Sequence, residues 1–233
     1  MKIFKVFKRA IFIISPFLKP KLNYIALGDS TVEGIGASAP KFNYASQLAK
    51  LLEKDFRVKL VNLGKKSATS YDVIETQIPK VFAQNPNLIT ISVGPNDIRK
   101  LKRVSKFKQN FELILKLLSN TGAKIVINTI PDMSKLPAIP KLTRWAVKLR
   151  VQQFNKVIHD LSKNYEIHVC DLFGKSQQFE NTKDYIGQDG FHLSDLGYNL
   201  WAQYFYSDIK PLLISAASSA GPDISEERHS AIG

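Results

Sequence analysis

Five short apolar runs, at residues 22–27, 58–63, 88–93, 124–130 and 167–172, alternate with longer stretches of helical periodicity. A run that short, with no polar alternation, reads as a strand covered on both faces, the state of strands in parallel sheets flanked by helices. The helical stretches fall at about 44–54, 71–82, 107–119 and 144–163, and Asn120-Thr121-Gly122 is a good stop for the third. A final helix is predicted from Ser194, an N-cap followed by Asp195, with Leu196, Leu200, Trp201, Tyr204 and Phe205 facing inward. Pro211 is expected to end or bend it. Residues 133–142, broken by Pro137 and Pro140, read as a connection that could border a site. Strands linked by right-handed helical crossovers put all their carboxyl ends on one edge and helices on both faces. The expectation is an α/β fold with a five-stranded parallel sheet.

The 233 residues suit one such domain, expected over 22–214, and 44% apolar with 23% charged residues is ordinary for a globular chain. The net charge of +13 is uneven: Lys2, Lys5, Lys8, Arg9, Lys19 and Lys21 stand in residues 1–21 without an acid. Wound as a helix, the leader's first four cations share one arc opposite Ile3, Val6, Phe7, Ala10, Ile11, Ile14 and Phe17, with Phe12 the exception. Its longest uncharged run, residues 10–18, falls short of the roughly 20 residues that span a bilayer, and no small-x-small cleavage site precedes Lys19. Three readings stay open for it: peripheral membrane contact through residues 1–19, packing on a domain or partner, and an atypical export signal. Residues 215–233 turn small and polar and read as a disordered tail. The other cations are scattered over helical segments without a nucleic-acid motif, so no nucleic-acid partner is expected. The single cysteine, Cys170, excludes an intrachain disulfide and reads as a small buried hydrophobe. A cytoplasmic or membrane-peripheral location follows most simply, with export left open.

The chemistry concentrates at the predicted strand ends. Gly28-Asp29-Ser30 follows the first strand, and Asp189-Gly190-Phe191-His192 lies on a late loop. A serine is a weak nucleophile until a base takes its proton and a third group orients that base. Ser30, His192 and Asp189 supply one of each, and the i, i+3 spacing of the last two lets both side chains project to one side. Asp29 and Asp97, beside strand ends, read as supporting carboxylates that accept backbone N–H bonds. His159, His168 and His229 lack such a setting. No residue spacing reads as a metal site, and Gly34-Ile35-Gly36 is a turn, not a phosphate loop. Neither a metal nor a cofactor is expected.

Four blocks in order, Gly28-Asp29-Ser30, Gly64, Gly94-x-Asn96-Asp97 and Asp189-x-x-His192, resemble those of the SGNH (GDSL-type) hydrolase family. The resemblance implies a flavodoxin-like three-layer fold and hydrolysis of esters, thioesters or related acyl groups. It also implies an oxyanion hole from the Ser30 and Gly64 backbone N–H groups and the Asn96 side-chain amide. A glycine at 64 would let a carbonyl approach the backbone closely. Thr31 stands where the four-letter name has leucine, and Pro95 interrupts the third block. The expected activity is a serine esterase acting on small or lipid-like acyl esters. A carbohydrate deacetylase is the alternative, and a non-catalytic ligand-binding module on the same scaffold a more distant one.

Overall fold

The computed structural model describes residues 19–165, 167–177 and 184–219. Expectations for the leader before residue 19 and for the tail beyond 219 lie outside these residues. Strands β1 (Lys21–Gly28), β2 (Arg57–Asn62), β3 (Leu88–Ser92), β4 (Lys124–Asn128) and β5 (His168–Cys170) form one sheet. Every pairing is parallel, in the order β2-β1-β3-β4-β5. All five expected strands are present, and the fold is the expected α/β sandwich. Four of the apolar runs overshoot, those of β2 and β3 by one residue and those of β4 and β5 by two. Past β4 the Asn155 amide takes both the N–H and the C=O of Ile130, each at 2.8 Å, and so replaces a strand partner.

The pleat of β1 divides the core. Leu22, Tyr24 and Ala26 face one side; Ile25 and Leu27 face the other. The first side packs on helix α2 (Tyr44–Leu52) through Tyr44 and Leu48, and on the C-terminal helix through Tyr198, Phe205 and Ile209. The second packs on three crossovers: the helical run 70–81 (α3), α5 (Val104–Ser119) and α6 (Arg144–Asn164). Phe107 of α5 and Phe154 of α6 meet there, ring centroids 4.5 Å apart.

Three short helices were not foreseen: α1 (Ser30–Glu33), α4 (Pro95–Arg99) and α7 (Leu172–Gln177). None is long enough to show a period. Pro95, which interrupts the third block, opens the second of them, where its missing N–H is an orphan donor in any case. The final helix, α8 (Asp195–Ser219), is capped as predicted, Ser194 Oγ accepting the Gly197 N–H at 3.3 Å. It passes through Pro211 and runs beyond residue 214, where composition alone ended the domain. Burial of Ile209 and Leu213 on either side of the proline supplies packing that offsets one lost backbone bond.

Candidate active site

Strand β1 has β2 on one flank and β3 on the other, so the loops leaving β1 and β3 diverge. An open α/β sheet has its crevice at that reversal of strand order. Gly28 ends β1 with φ +143°, and a Cβ there would stand 1.9 Å from the Ser92 carbonyl oxygen, so only glycine fits. Buried Gln77 clamps the same residue, accepting the Gly28 N–H at 2.8 Å and donating to its carbonyl at 2.7 Å. It closes a π-helical turn, Val73–Gln77, inside α3. Sequence reasoning missed this role; the available signal was a glutamine on the inward face of an otherwise apolar helical pattern.

Ser30 is the first residue of α1, where backbone N–H groups have no intrahelical acceptor. The loop 184–194 is closed on itself by a β-bridge between Ile186 and Leu193. Gly190 turns this loop at φ +69° and accepts the Ala138 N–H at 3.1 Å. These constraints bring together the three residues named from sequence. His192 Nε2 lies 3.1 Å from Ser30 Oγ, and His192 Nδ1 lies 2.5 Å from Asp189 Oδ2. Asp189 Oδ1 also accepts the Phe191 and His192 backbone N–H groups, both at 2.9 Å. Partial burial pushes the Asp189 carboxyl up, but these bonds from His192 and the backbone outweigh it and hold the group at about 2. Phe191 meets the imidazole edge-on, centroids 5.2 Å apart. Such an arrangement can pass a proton from the serine to the imidazole while a permanent carboxylate balances the imidazolium.

Asp29 caps α1, its Oδ1 accepting the Thr31 N–H at 3.0 Å, as expected of a supporting carboxylate. Its other oxygen is buried without a partner among the described residues, and burial raises the carboxyl to about 6 against the Thr31 bonds and the nearby imidazole. Asp97 supports the site differently. It accepts the Ser70 N–H and Oγ–H at 2.9 and 2.7 Å, and Asn110 donates to the same hydroxyl at 3.0 Å. Burial raises the Asp97 carboxyl against those bonds. The network ties the loop after β2 to α4 and α5.

That loop brings one correction. Gly64 does not border the crevice. Its N–H donates to Asn62 Oδ1 at 2.9 Å, and a Cβ on it would come within 2.4 Å of the Glu33 nitrogen. The missing side chain makes room for the α1 backbone, not for an incoming carbonyl. The residue that reaches the crevice is Ser67, three positions on, which lines a groove with Ser30, Asn96, Arg99, Phe191 and His192. Ser67 holds φ +63°, and its N–H has no acceptor among the described residues. A non-glycine residue in the left-handed region carries strain that marks a constrained site; nothing local in the sequence announces it. Asn96 lines the same groove: one amide hydrogen goes to the Ala68 carbonyl at 3.0 Å, which leaves the second for the crevice.

The crevice has two arms that meet at Ser30 and His192. One is a cavity of about 120 Å³ with a largely apolar wall that includes Met133, Leu136, Leu172, Phe191, Leu200 and Trp201. The other is the groove beside Ser67, which carries Lys66 and Arg99. The 133–142 connection, folded into the turns Met133–Lys135 and Lys141–Thr143, borders the first arm as expected. Among the described residues no group of three or more His, Cys, Asp or Glu could hold a metal ion. Cys170 is buried, and burial pushes its thiol up.

A flavodoxin-like scaffold with a serine, an imidazole and a carboxylate converging at its switch point defines a class, that of serine-centred acyl hydrolases. Within it, the family model of the GDSL-like lipases and acylhydrolases matches residues 26–200, and the chain belongs to that family of ester-bond hydrolases. It is 30% identical over 129 residues to the GDSL-like esterase Rv1075c of Mycobacterium tuberculosis, a match spanning 53% of this chain and 40% of that protein's length. The fold is similar to that of a lipase/acylhydrolase from Enterococcus faecalis (TM-score 0.69, 20% identity, 82% of this chain and 96% of that one). It is equally similar to that of a family 3 carbohydrate esterase from Clostridium thermocellum (TM-score 0.68, 17% identity, 84% and 99%).

Proposed function

We propose that the protein hydrolyses carboxylic esters with a small or lipid-like acyl group, with Ser30 as nucleophile, His192 as general base and acid, and Asp189 as its orienting carboxylate. The observation that carries this is the 3.1 Å approach of His192 Nε2 to Ser30 Oγ, with Nδ1 held by Asp189. Ser30 Oγ adds to the acyl carbonyl as its proton passes to Nε2. The tetrahedral oxyanion is met by the Ser30 and Ser67 backbone N–H groups and the second Asn96 amide hydrogen. Collapse breaks the ester C–O bond, and His192 returns the proton to the departing alkoxide. Water, deprotonated by the same imidazole, then adds to the acyl-serine and releases the acid and Ser30. The apolar arm supports an acyl chain over a sugar there, and this places the carbohydrate deacetylase second.

Hydrolysis of a panel of acetyl, butyryl and octanoyl p-nitrophenyl esters beside an acetylated sugar tests the proposal. Ser30→Ala and His192→Ala abolish turnover while near-native circular dichroism persists. Asn96→Ala lowers kcat by about 10²–10³-fold with little change in KM. Wild-type turnover in Ser30→Ala would reject the serine mechanism, and a preference for the acetylated sugar would reverse the order of the two substrate readings.

A further inference from the structure

We infer that the rim of the crevice is a docking face for an anionic lipid bilayer, built by two stretches of chain that leave the carboxyl ends of β3 and β4. Four of the most exposed large apolar side chains lie on these stretches: Leu101 at 79%, Leu142 at 85%, Trp145 at 72% and Leu149 at 50%. Each is set among cations. Residues 98–111 hold six Lys and Arg without an acid, and residues 133–159 another six, of which Lys148 and Lys156 pair with Asp132 and Asp160 at the two ends of the stretch. The fold joins them, since α5 and α6 share one core and Arg150 donates to the Lys102 carbonyl.

Local geometry pushes the apolar groups outward. Leu101 sits at φ +53°, a left-handed conformation that a leucine adopts at a cost, and the turn is held by Lys102 N–H donating to the Asp97 carbonyl at 2.9 Å. Trp145 and Leu149 are i, i+4 neighbours on the open face of α6, and Leu142 protrudes from the turn just before it. Both stretches also touch the site. Arg99, two residues before Leu101, lines the groove at Ser30, and Met133 and Leu136, at the start of the second stretch, wall the apolar arm.

Charge selects the occupant. A surface of apolar points within a field of cations fits anionic headgroups over acyl chains. The basic leader, with Lys2, Lys5, Lys8 and Arg9, is repelled by the same field. No helix among the described residues is long and apolar enough to cross a membrane, so contact here is interfacial. A bilayer on this face meets the mouth of the crevice.

The test uses the full chain carrying Ser30→Ala, which keeps the lipid intact. Because Cys170 is buried, Leu142→Cys gives one reactive thiol for a nitrobenzoxadiazole label. Its emission rises and shifts blue with vesicles of equal parts phosphatidylcholine and phosphatidylglycerol, and stays flat with phosphatidylcholine alone. In vesicle sedimentation, Lys100→Ala with Lys102→Ala weakens partitioning on the order of thirtyfold, and Trp145→Ser weakens it by about tenfold. Vesicle binding with a silent label, or with full affinity in the rim variants, shows that another part of the chain docks and overturns the inference. Absence of binding overturns it too. So does a protein-concentration-dependent blue shift without lipid, which would make the face a contact between copies. Should a rim variant lose its fold, the label at the exposed Leu142 position decides alone.

Discussion

Asp29 lies directly beneath the proposed nucleophile, 1% exposed, with one oxygen capping α1 and the other unpartnered among the described residues. Burial raises its carboxyl from 3.8 to about 6. Between those two values the folded protein holds a proton that the unfolded chain has released. The contribution of Asp29 to stability is therefore greatest below 3.8, falls as pH rises through the window, and levels off above about 6. At about 1.4 kcal/mol per pH unit the full loss is about 3 kcal/mol. Asp29→Asn removes this slope. The amide oxygen still caps Thr31, while its N–H lacks an acceptor and costs about 1–3 kcal/mol at every pH. That offset is constant and cancels in a pH comparison. Urea unfolding followed by circular dichroism is therefore expected to show the variant-minus-wild-type stability climbing by about 2.5 kcal/mol from roughly pH 4 to roughly pH 7.5. Asp189, held at about 2, loses its contribution only at lower pH and does so in both proteins. Parallel stability profiles for variant and wild type would refute the claim that Asp29 is charged without compensation.

Two further outcomes follow from the packing around the site. Gly64→Ala puts a methyl group 2.4 Å from the Glu33 nitrogen and 2.7 Å from the Val32 carbonyl carbon, both backbone atoms. It is expected to lower stability by about 1–3 kcal/mol, read from the thermal midpoint, and to reduce turnover by displacing α1; lost turnover at unchanged stability would instead restore a direct role in oxyanion binding. Leu200→Trp fills the apolar arm, so kcat/KM for an octanoyl ester should fall by about tenfold or more while an acetyl ester is hardly affected. Equal losses on both esters would mean that the chain does not enter this cavity.

Much was legible before any coordinates. Strands of a parallel sheet are largely apolar, continuously so in the buried β3 and less so in the edge strand β2, and crossover helices must carry a period near 3.6. The five runs and four crossover patterns therefore appeared directly, and right-handed connectivity sent their loops to one edge. Ser30, Asp189 and His192 were singled out because a serine nucleophile would need a base and an orienting carboxylate, and Asn96 because its block resembles the family's. Two kinds of information were hidden. Segments of four to six residues, such as α1, α4 and α7, are too short to display any period, and Pro211 obeys its neighbours' burial over its own preference. Close approaches between segments distant in sequence leave no local trace either. Gln77 clamping Gly28, Gly64 yielding its space to α1, and Ser67 taking the crevice position were all decided by how neighbouring loops pack.

Residue chemistry by itself determined the layer architecture and the candidates for a proton relay, because hydrophobic periodicity and nucleophile activation are rules about residue type and order. The tertiary structure alone decided that Ser67 lines the groove at Ser30, that the other arm is walled by apolar side chains, and that the stretches carrying Leu101 and Trp145 meet through Arg150 and Lys102. Those outcomes depend on distances between residues dozens of positions apart, and such distances exist only once the sheet has closed its order around β1 and β3.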